Sequence, residues 1–308
     1  MFYWSSLTGL KQLLLNMTNI LRKLLPAPIK RMIAAHIRAV VQSDPEYVHA
    51  VEGARLYFPS HPGDDAYCVK SGAFGTQDLP VPPEELWVGY GPDAQTYISS
   101  GRRDVAEMAR IVEESGASLS GADRILEFGC AAGRMLRHVG EFAPRAELWG
   151  VDLSARHVQW CVNNLAPAMQ FATTTVVPHL PFEDRYFDFI FCGSVFTHIE
   201  DLQQSWLLEL ARILRPTGRL FITLHDEYTV KRFEASDSDH RLVRYLREQP
   251  VYVSNKNDFG MIVVGRCTGS QVFYHSDYFK ILLPRSLGFV SHTPDAYGYQ
   301  SAVVLAKK

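Results

Sequence analysis

Apolar residues recur along this chain in two rhythms, and the change between them divides it. Near the start, Leu7, Leu10, Leu14, Met17, Leu21 and Leu24 follow one another at steps of three and four, while Lys11, Gln12, Asn16, Asn19, Arg22 and Lys23 fall mainly on other faces. That spacing predicts an amphipathic helix. Pro26-Ala-Pro28 breaks it, and Ile29, Met32, Ile33, His36, Ile37 and Val40 predict a second. Residues 1–43 therefore read as a basic helical extension. Residues 44–92 are rich in Pro and Gly and show little periodicity, the composition of an accessory or lid segment.

From residue 93 onward, short apolar runs alternate with helical spacing. Helices are expected over 93–101 and 105–112. Strands are expected over 124–128, 147–151, 170–176, 187–192 and 219–225, with helices over 135–142, 155–165 and 202–214 between most of them. Strand and helix in alternation predict an α/β fold with a doubly wound, mostly parallel sheet and helices on both faces. Residues 227–275 interrupt the alternation and read as a cap insertion within a domain spanning 93–308. In such sheets a ligand lies beyond the carboxyl ends of the strands.

The first strand and the turn after it carry the most chemistry. Arg124-Ile-Leu-Glu127 runs into a turn bounded by Gly129 and Gly133, and a second apolar run ends at Asp152, nineteen residues later. Strand, tight turn, helix, strand and acid form the plan of a nucleotide-binding unit, with the acid placed to accept hydrogen bonds from ribose hydroxyls. A dinucleotide fold wants G-x-G-x-x-G to cradle a pyrophosphate. Here Cys130, Ala131 and Ala132 separate the two glycines, so an adenosyl cofactor without phosphate fits better. An NAD(P)-dependent oxidoreductase shares the plan but not the loop spacing.

Further segments come in order: Leu180-Pro-Phe-Glu-Asp184, Tyr186-Phe-Asp-Phe-Ile-Phe-Cys192, Gly193-Ser-Val-Phe-Thr-His198 and Arg212-Ile-Leu-Arg-Pro-Thr-Gly218. Together with the glycine turn, this series resembles the class I S-adenosylmethionine (SAM) methyltransferases, of the type 11/25-like kind, over about residues 124–223. Residues 296–305 are similar to the family's last strand. The resemblance implies a Rossmann-like sheet of seven strands and SAM as cofactor. It implies that Gly129, Cys130, Ala131 and Gly133 shape the loop under the methionine, with Glu127 near its amino group. Asp152 would hold the ribose, Leu153 would face the adenine, Leu180 and Phe182 would line its pocket, and Gly193 and Ser194 would lie beside the sulfonium. The family's middle glycine is Ala131 here. If that position needs a positive φ, its Cβ costs about 1 kcal/mol; at negative φ it costs nothing. The acid that relatives often place after the third strand is missing from Thr173-Thr-Thr-Val-Val-Pro178.

Charge and cysteines narrow the partners. Of 31 Lys and Arg, six lie in residues 1–43, which hold no acid; the remaining 25 face all 33 Asp and Glu, a net of −8. A body this acidic argues against nucleic acid, whose binding rests on phosphate neutralisation. The basic extension is expected either to lie on a membrane surface or to pack on its own domain or a second copy. Five cysteines without a C-x-x-C pattern suggest a reducing, cytoplasmic compartment and no structural zinc.

Methyl transfer to a hydroxyl needs an aligned nucleophile and a group to take its proton. His198 follows the fourth strand, and His225 with Asp226 ends the fifth; these three are the candidate catalytic residues, with Asp226 to orient a base. His275 is placed in the cap. No metal is expected, since consecutive His225, Asp226 and Glu227 do not aim at one point. The expected activity is SAM-dependent methyl transfer to a small molecule such as a sugar, lipid precursor or secondary metabolite, O-methylation favoured. A catalytically silent SAM-binding protein and an NAD(P)-dependent oxidoreductase are the alternatives.

Overall fold

A computed structural model describes residues 79–166, 168–236, 240–266 and 269–308. The expected extension over 1–43 and most of the segment over 44–92 lie outside the described residues. Seven strands form the main sheet: β1 (Arg124–Phe128), β2 (Glu147–Asp152), β3 (Gln170–Thr173), β4 (Phe187–Cys192), β5 (Leu214–Leu224), β8 (Leu287–Tyr297) and β9 (Gln300–Lys307). Their order across it is β3-β2-β1-β4-β5-β9-β8. β1 to β5 pair in parallel, and β9 runs antiparallel to both β5 and β8. The sheet is thus the doubly wound, mostly parallel one that the alternation predicts. Its order reverses between β1 and β4, which opens a crevice at their carboxyl ends.

Side chains alternate across the strands and feed two cores. Leu126, Trp149, Ile190 and Ile222 face one side, where α4 (Gln203–Ile213) covers them with Trp206 and Leu207. Ile125, Phe171, Phe191 and Phe221 face the other. There α1 (Ala94–Glu114), α2 (Leu136–Val139) and α3 (Ala155–Asn164) pack against them.

Several elements differ from the expected ones for local reasons. The two helices expected over 93–112 are one, capped by the Asp93 carboxylate, which accepts from Thr96 N at 2.7 Å. Gly101 does not break it. It lets α1 lie against the cofactor-side loop, where a Cβ would come within 2.2 Å of the Arg134 carbonyl oxygen. β3 stops at Thr173; Val176, the last residue of the expected strand, is 68 % exposed and Val177 after it 60 %. The helix expected over 135–142 keeps one α-turn and finishes in tighter bonds from Glu141 N to His138 O and Phe142 N to Val139 O. The last strand expected over 296–305 forms as β9 from residue 300 onward, while 296–299 hold the end of β8 and the hairpin turn. β8 ends at Tyr297, Gly298 takes φ +64°, and β9 starts at Gln300.

Residues 227–275 hold α5 (Glu227–Ala235), α6 (Arg241–Arg247), α7 (Pro250–Asn255) and an antiparallel hairpin of β6 (Met261–Val264) and β7 (Gln271–Tyr274). Val230, Phe233, Leu246, Tyr252, Ile262 and Phe273 give them a core of their own. β7 is stitched to the sheet. Val272 N donates to Thr197 O at 2.8 Å and Tyr274 N to His225 O at 2.9 Å, just beyond the ends of β4 and β5. α8 (Ser276–Leu282) then leads into β8. Among the described residues, no helix is long and apolar enough to cross a membrane.

Candidate functional site

The turn after β1 is built from three residues at positive φ: Gly129 (+84°), Ala131 (+43°) and Gly133 (+70°). Both glycines are also crowded. A Cβ on Gly129 would lie 2.3 Å from Val195 Cγ2, and one on Gly133 would lie 2.7 Å from Leu165 Cδ1. Ala131 therefore meets the costly branch of the expectation, because its position is left-handed and its Cβ is strained. Gly129 N and Cys130 N both donate to Val151 O, at 2.8 and 3.0 Å, and fold the turn back over β2. Cys130 contributes backbone only. Its thiol is buried beside Gly150, where a Cβ would come within 2.8 Å of Sγ.

Asp152 stands at the carboxyl end of β2 and holds that turn. Its Oδ2 accepts from Ala131 N at 2.7 Å and its Oδ1 from Ser154 N at 2.8 Å. Each oxygen keeps a second lone pair for hydroxyl donors. Half-buried Leu153 follows it, and Ser154 caps α3. Glu127 sits on the same sheet face as Phe191 and is 4 % exposed. Its Oε2 accepts from Leu136 N at 3.0 Å. Burial pushes its carboxyl up to about 8, against the opposing pull of Arg134. A buried acid held this high is poised to gain from a cation, such as an amino group, brought beside it.

Other expected contacts are spent elsewhere. Leu180 has no exposed surface, and Phe182 packs at 5.0 Å on Trp149 and 4.8 Å on Phe187. Both belong to the core on the α4 side, opposite the Glu127 face, so the structure opens neither side chain as an adenine wall. Gly193 and Ser194 follow β4 beside the glycine turn. A Cβ on Gly193 would lie 3.1 Å from Met135 Sδ, and Ser194 adopts φ +59°.

The three catalytic candidates part company. His198 Nδ1 lies 2.7 Å from the Ser270 carbonyl. A carbonyl only accepts, so the proton sits on Nδ1 and Nε2 presents a lone pair. Burial holds the ring below the usual histidine range, and the Ser270 bond only partly offsets this. His225 is 1 % exposed, 4.9 Å from the Phe273 ring and 5.6 Å from that of Tyr299, with no partner for either ring nitrogen among the described residues. Burial drives it down to about 3, too low for a base working near neutrality. The Asp226 carboxylate caps α5, accepting from Tyr228 N at 3.0 Å and Thr229 N at 3.1 Å, while its other oxygen binds His292 Nε2 at 2.7 Å. It orients neither His198 nor His225. His275 caps α8 and borders a cavity of about 560 Å³ in the insertion, shared with Glu227, Lys231, Lys256 and Phe259.

The structure also adds residues that pattern reading passes over. Arg134 is buried, 3.9 Å over the Tyr90 ring, bonded to Asp104 at 2.8 Å and Ser100 at 3.1 Å, and to the Tyr297 hydroxyl. Tyr297, Gln300 and Thr223 are buried near the carboxyl end of β4, at the end of β8, the start of β9 and in β5. A glutamine just ahead of the apolar run Ala302-Val-Val-Leu305 is the sequence signal that marks one of them.

Among known proteins, a family model described as a methyltransferase domain matches residues 126–222. The malonyl-[acyl-carrier protein] O-methyltransferase of Hahella chejuensis is 28% identical over 119 residues, which are 38% of this chain and 42% of that protein. The match thus spans about two-fifths of the curated relative's length. Among solved structures, the PH0226 protein of Pyrococcus horikoshii superposes with a TM-score of 0.49 at 17% identity, covering 71% of this chain and 95% of that one. A SAM dependent methyltransferase of Aquifex aeolicus gives 0.44 at 15% identity, covering 67% and 98%.

Proposed function

Because this chain belongs, through residues 126–222, to the class I SAM-dependent methyltransferases, we propose that it methylates a hydroxyl oxygen of a small-molecule acceptor. The observation that carries the choice of a hydroxyl is the fixed tautomer of His198. A carboxylate acceptor is already ionised and needs no base, whereas a hydroxyl must lose a proton as it attacks. His198 Nε2, unprotonated because Nδ1 bonds to Ser270 and because burial keeps the ring neutral, is suited to receive it. The relative from Hahella is named an O-methyltransferase, which agrees with oxygen as the target, but a malonyl group offers that oxygen as a carboxylate, so the choice of a hydroxyl rests on His198.

SAM, when bound, supplies an electrophilic methyl carbon on a positively charged sulfur leaving group. The residues present fit it. Gly129 and Gly133 leave room where any Cβ would clash, Asp152 offers lone pairs at the ribose position, and Glu127 is a buried acid suited to an ammonium. The chemistry SAM would supply is displacement at that carbon, in which a bond to the acceptor oxygen would replace the carbon–sulfur bond and leave its electron pair on sulfur. The hydroxyl proton passes to His198 Nε2. β7, which supplies no catalytic group, holds the insertion over the ends of β4 and β5, where an acceptor would be kept from water. The test is methyl transfer to a panel of hydroxyl, carboxylate and amine acceptors. Hydroxyl compounds should be methylated, and His198→Ala should cut turnover about 10²- to 10⁴-fold with SAM affinity unchanged. Transfer to carboxylates alone, or full activity in His198→Ala, would refute the proposal.

A further inference from the structure

Ser194 of the turn that follows β4, Thr223 of β5 and Gln300 of β9 close a ring of hydrogen bonds. Ser194 N donates to Thr223 Oγ1 at 2.7 Å, Thr223 Oγ1 donates to Gln300 Oε1 at 2.6 Å, and Gln300 Nε2 donates to Ser194 Oγ at 2.8 Å. The directions agree with one another: Thr223 Oγ1 accepts from a backbone N–H and gives its own proton to the amide oxygen, and the amide nitrogen faces Ser194. Thr223 is wholly buried and Gln300 is 4 % exposed.

The ring holds a strained piece of backbone. Ser194 sits at φ +59°, a region that residues with a Cβ seldom enter. Its neighbour Gly193 is wedged at 3.1 Å from Met135 Sδ and 3.4 Å from the Tyr297 hydroxyl, counted from the place of a Cβ. Thr223 holds the Gly193–Ser194 peptide, and so the Gly193 carbonyl, through Ser194 N, while Gln300 holds both Thr223 Oγ1 and the Ser194 side chain.

We infer that Gln300 is a positioning residue for methyl transfer, aligning the Gly193 carbonyl of the Gly193–Ser194 turn with the positive sulfur. The inference rests on the reading that this turn lies beside the sulfonium. Carbonyl oxygens attract a sulfonium and gain nothing comparable from the neutral thioether of S-adenosylhomocysteine, the product. A loosened turn therefore weakens SAM selectively. A merely structural role would lower stability and change both ligands alike.

The experiment is calorimetric binding of SAM and S-adenosylhomocysteine to the full chain. Gln300→Leu keeps the approximate size but strands Thr223 and Ser194. It should lower SAM affinity about tenfold and leave the product within twofold. Thr223→Val should reproduce this selective loss, and Thr223→Ser, which keeps the hydroxyl, should restore the original ratio. Equal shifts for the two ligands, or an unchanged ratio, overturns the inference. If Gln300→Leu fails to fold, the Thr223→Val and Thr223→Ser pair decides, and a serine no better than valine sinks it. Asp152→Ala separates the premise from the inference. Unchanged SAM affinity in that variant removes the cofactor placement itself. Weakened SAM binding there, with an unmoved ratio in the Gln300 and Thr223 variants, removes only the role of Gln300.

Discussion

Ala131 is the residue whose replacement should improve the protein. It occupies the middle of the glycine turn after β1 at φ +43°. An L-residue in the left-handed region costs about 1–2 kcal/mol. Ala131→Gly removes that cost but makes the unfolded chain more flexible, which takes back about 0.4–1 kcal/mol. The methyl group is only half-buried, so its loss adds little. The balance is a gain of about 0.5–1 kcal/mol. For a folded body of this size, each kcal/mol moves Tm by about 2–4 °C, so a rise of about 1–4 °C is expected. Ala131 bonds to Asp152 through its backbone N–H, which glycine keeps, so SAM affinity should stay within about twofold. Differential scanning calorimetry with and without SAM reads both. Ala131→Val supplies the opposite arm, since a β-branched side chain at positive φ is worse than alanine. A fall in Tm for the glycine variant would show that the turn is not strained at this residue.

Other variants probe the same geometry. Asp152→Ala removes the acceptor for Ala131 N and Ser154 N and should weaken SAM binding by about 1–3 kcal/mol, read by calorimetry; an unchanged Kd contradicts the ribose assignment. Glu127 holds its proton up to about 8 when folded but only to about 4.3 when unfolded, so the folded state binds more protons between those values. Stability should therefore fall as pH rises from about 4.5 to 8, by at most about 1.4 kcal/mol per pH unit. Denaturation at several pH values should show Glu127→Gln losing that slope, and parallel curves for the two proteins would refute it. Gly101→Ala drives a Cβ to 2.2 Å from the Arg134 carbonyl oxygen and should cost about 2 kcal/mol or more, seen as a lowered denaturation midpoint.

The parts of the fold that repeat were readable. Five strands and their order in the chain could be drawn from short apolar runs, because parallel strands buried on both faces are apolar almost throughout. The glycine turn and Asp152 were readable because a tight turn and a strand-end acid each leave a residue-type signature. Errors came where apolar residues serve something other than a strand. Val176 and Val177 face solvent, and the run from Ala296 reverses at Gly298. Catalytic reading suffered most, because side-chain commitment is tertiary. The partner that fixes the His198 tautomer lies 72 residues away at Ser270, and the partner that occupies Asp226 lies 66 residues away at His292. No spacing rule reaches so far. Arg134 looked like an ordinary member of the turn until Tyr90 and Tyr297 were seen on either side of it.

The place of β9 bears on how the molecule is made. It lies between β5 and β8, yet comes after every other described strand in order of synthesis. Until it arrives, a nascent chain carries β5 with an open edge and an unfilled slot, the kind of surface that recruits chaperones or a neighbour's strand. A nascent chain that stops short of β9 lacks Gln300, and with it the ring that holds the turn after β4. The newly made protein should therefore acquire cofactor affinity abruptly, once β9 is in place, rather than in proportion to its growing length.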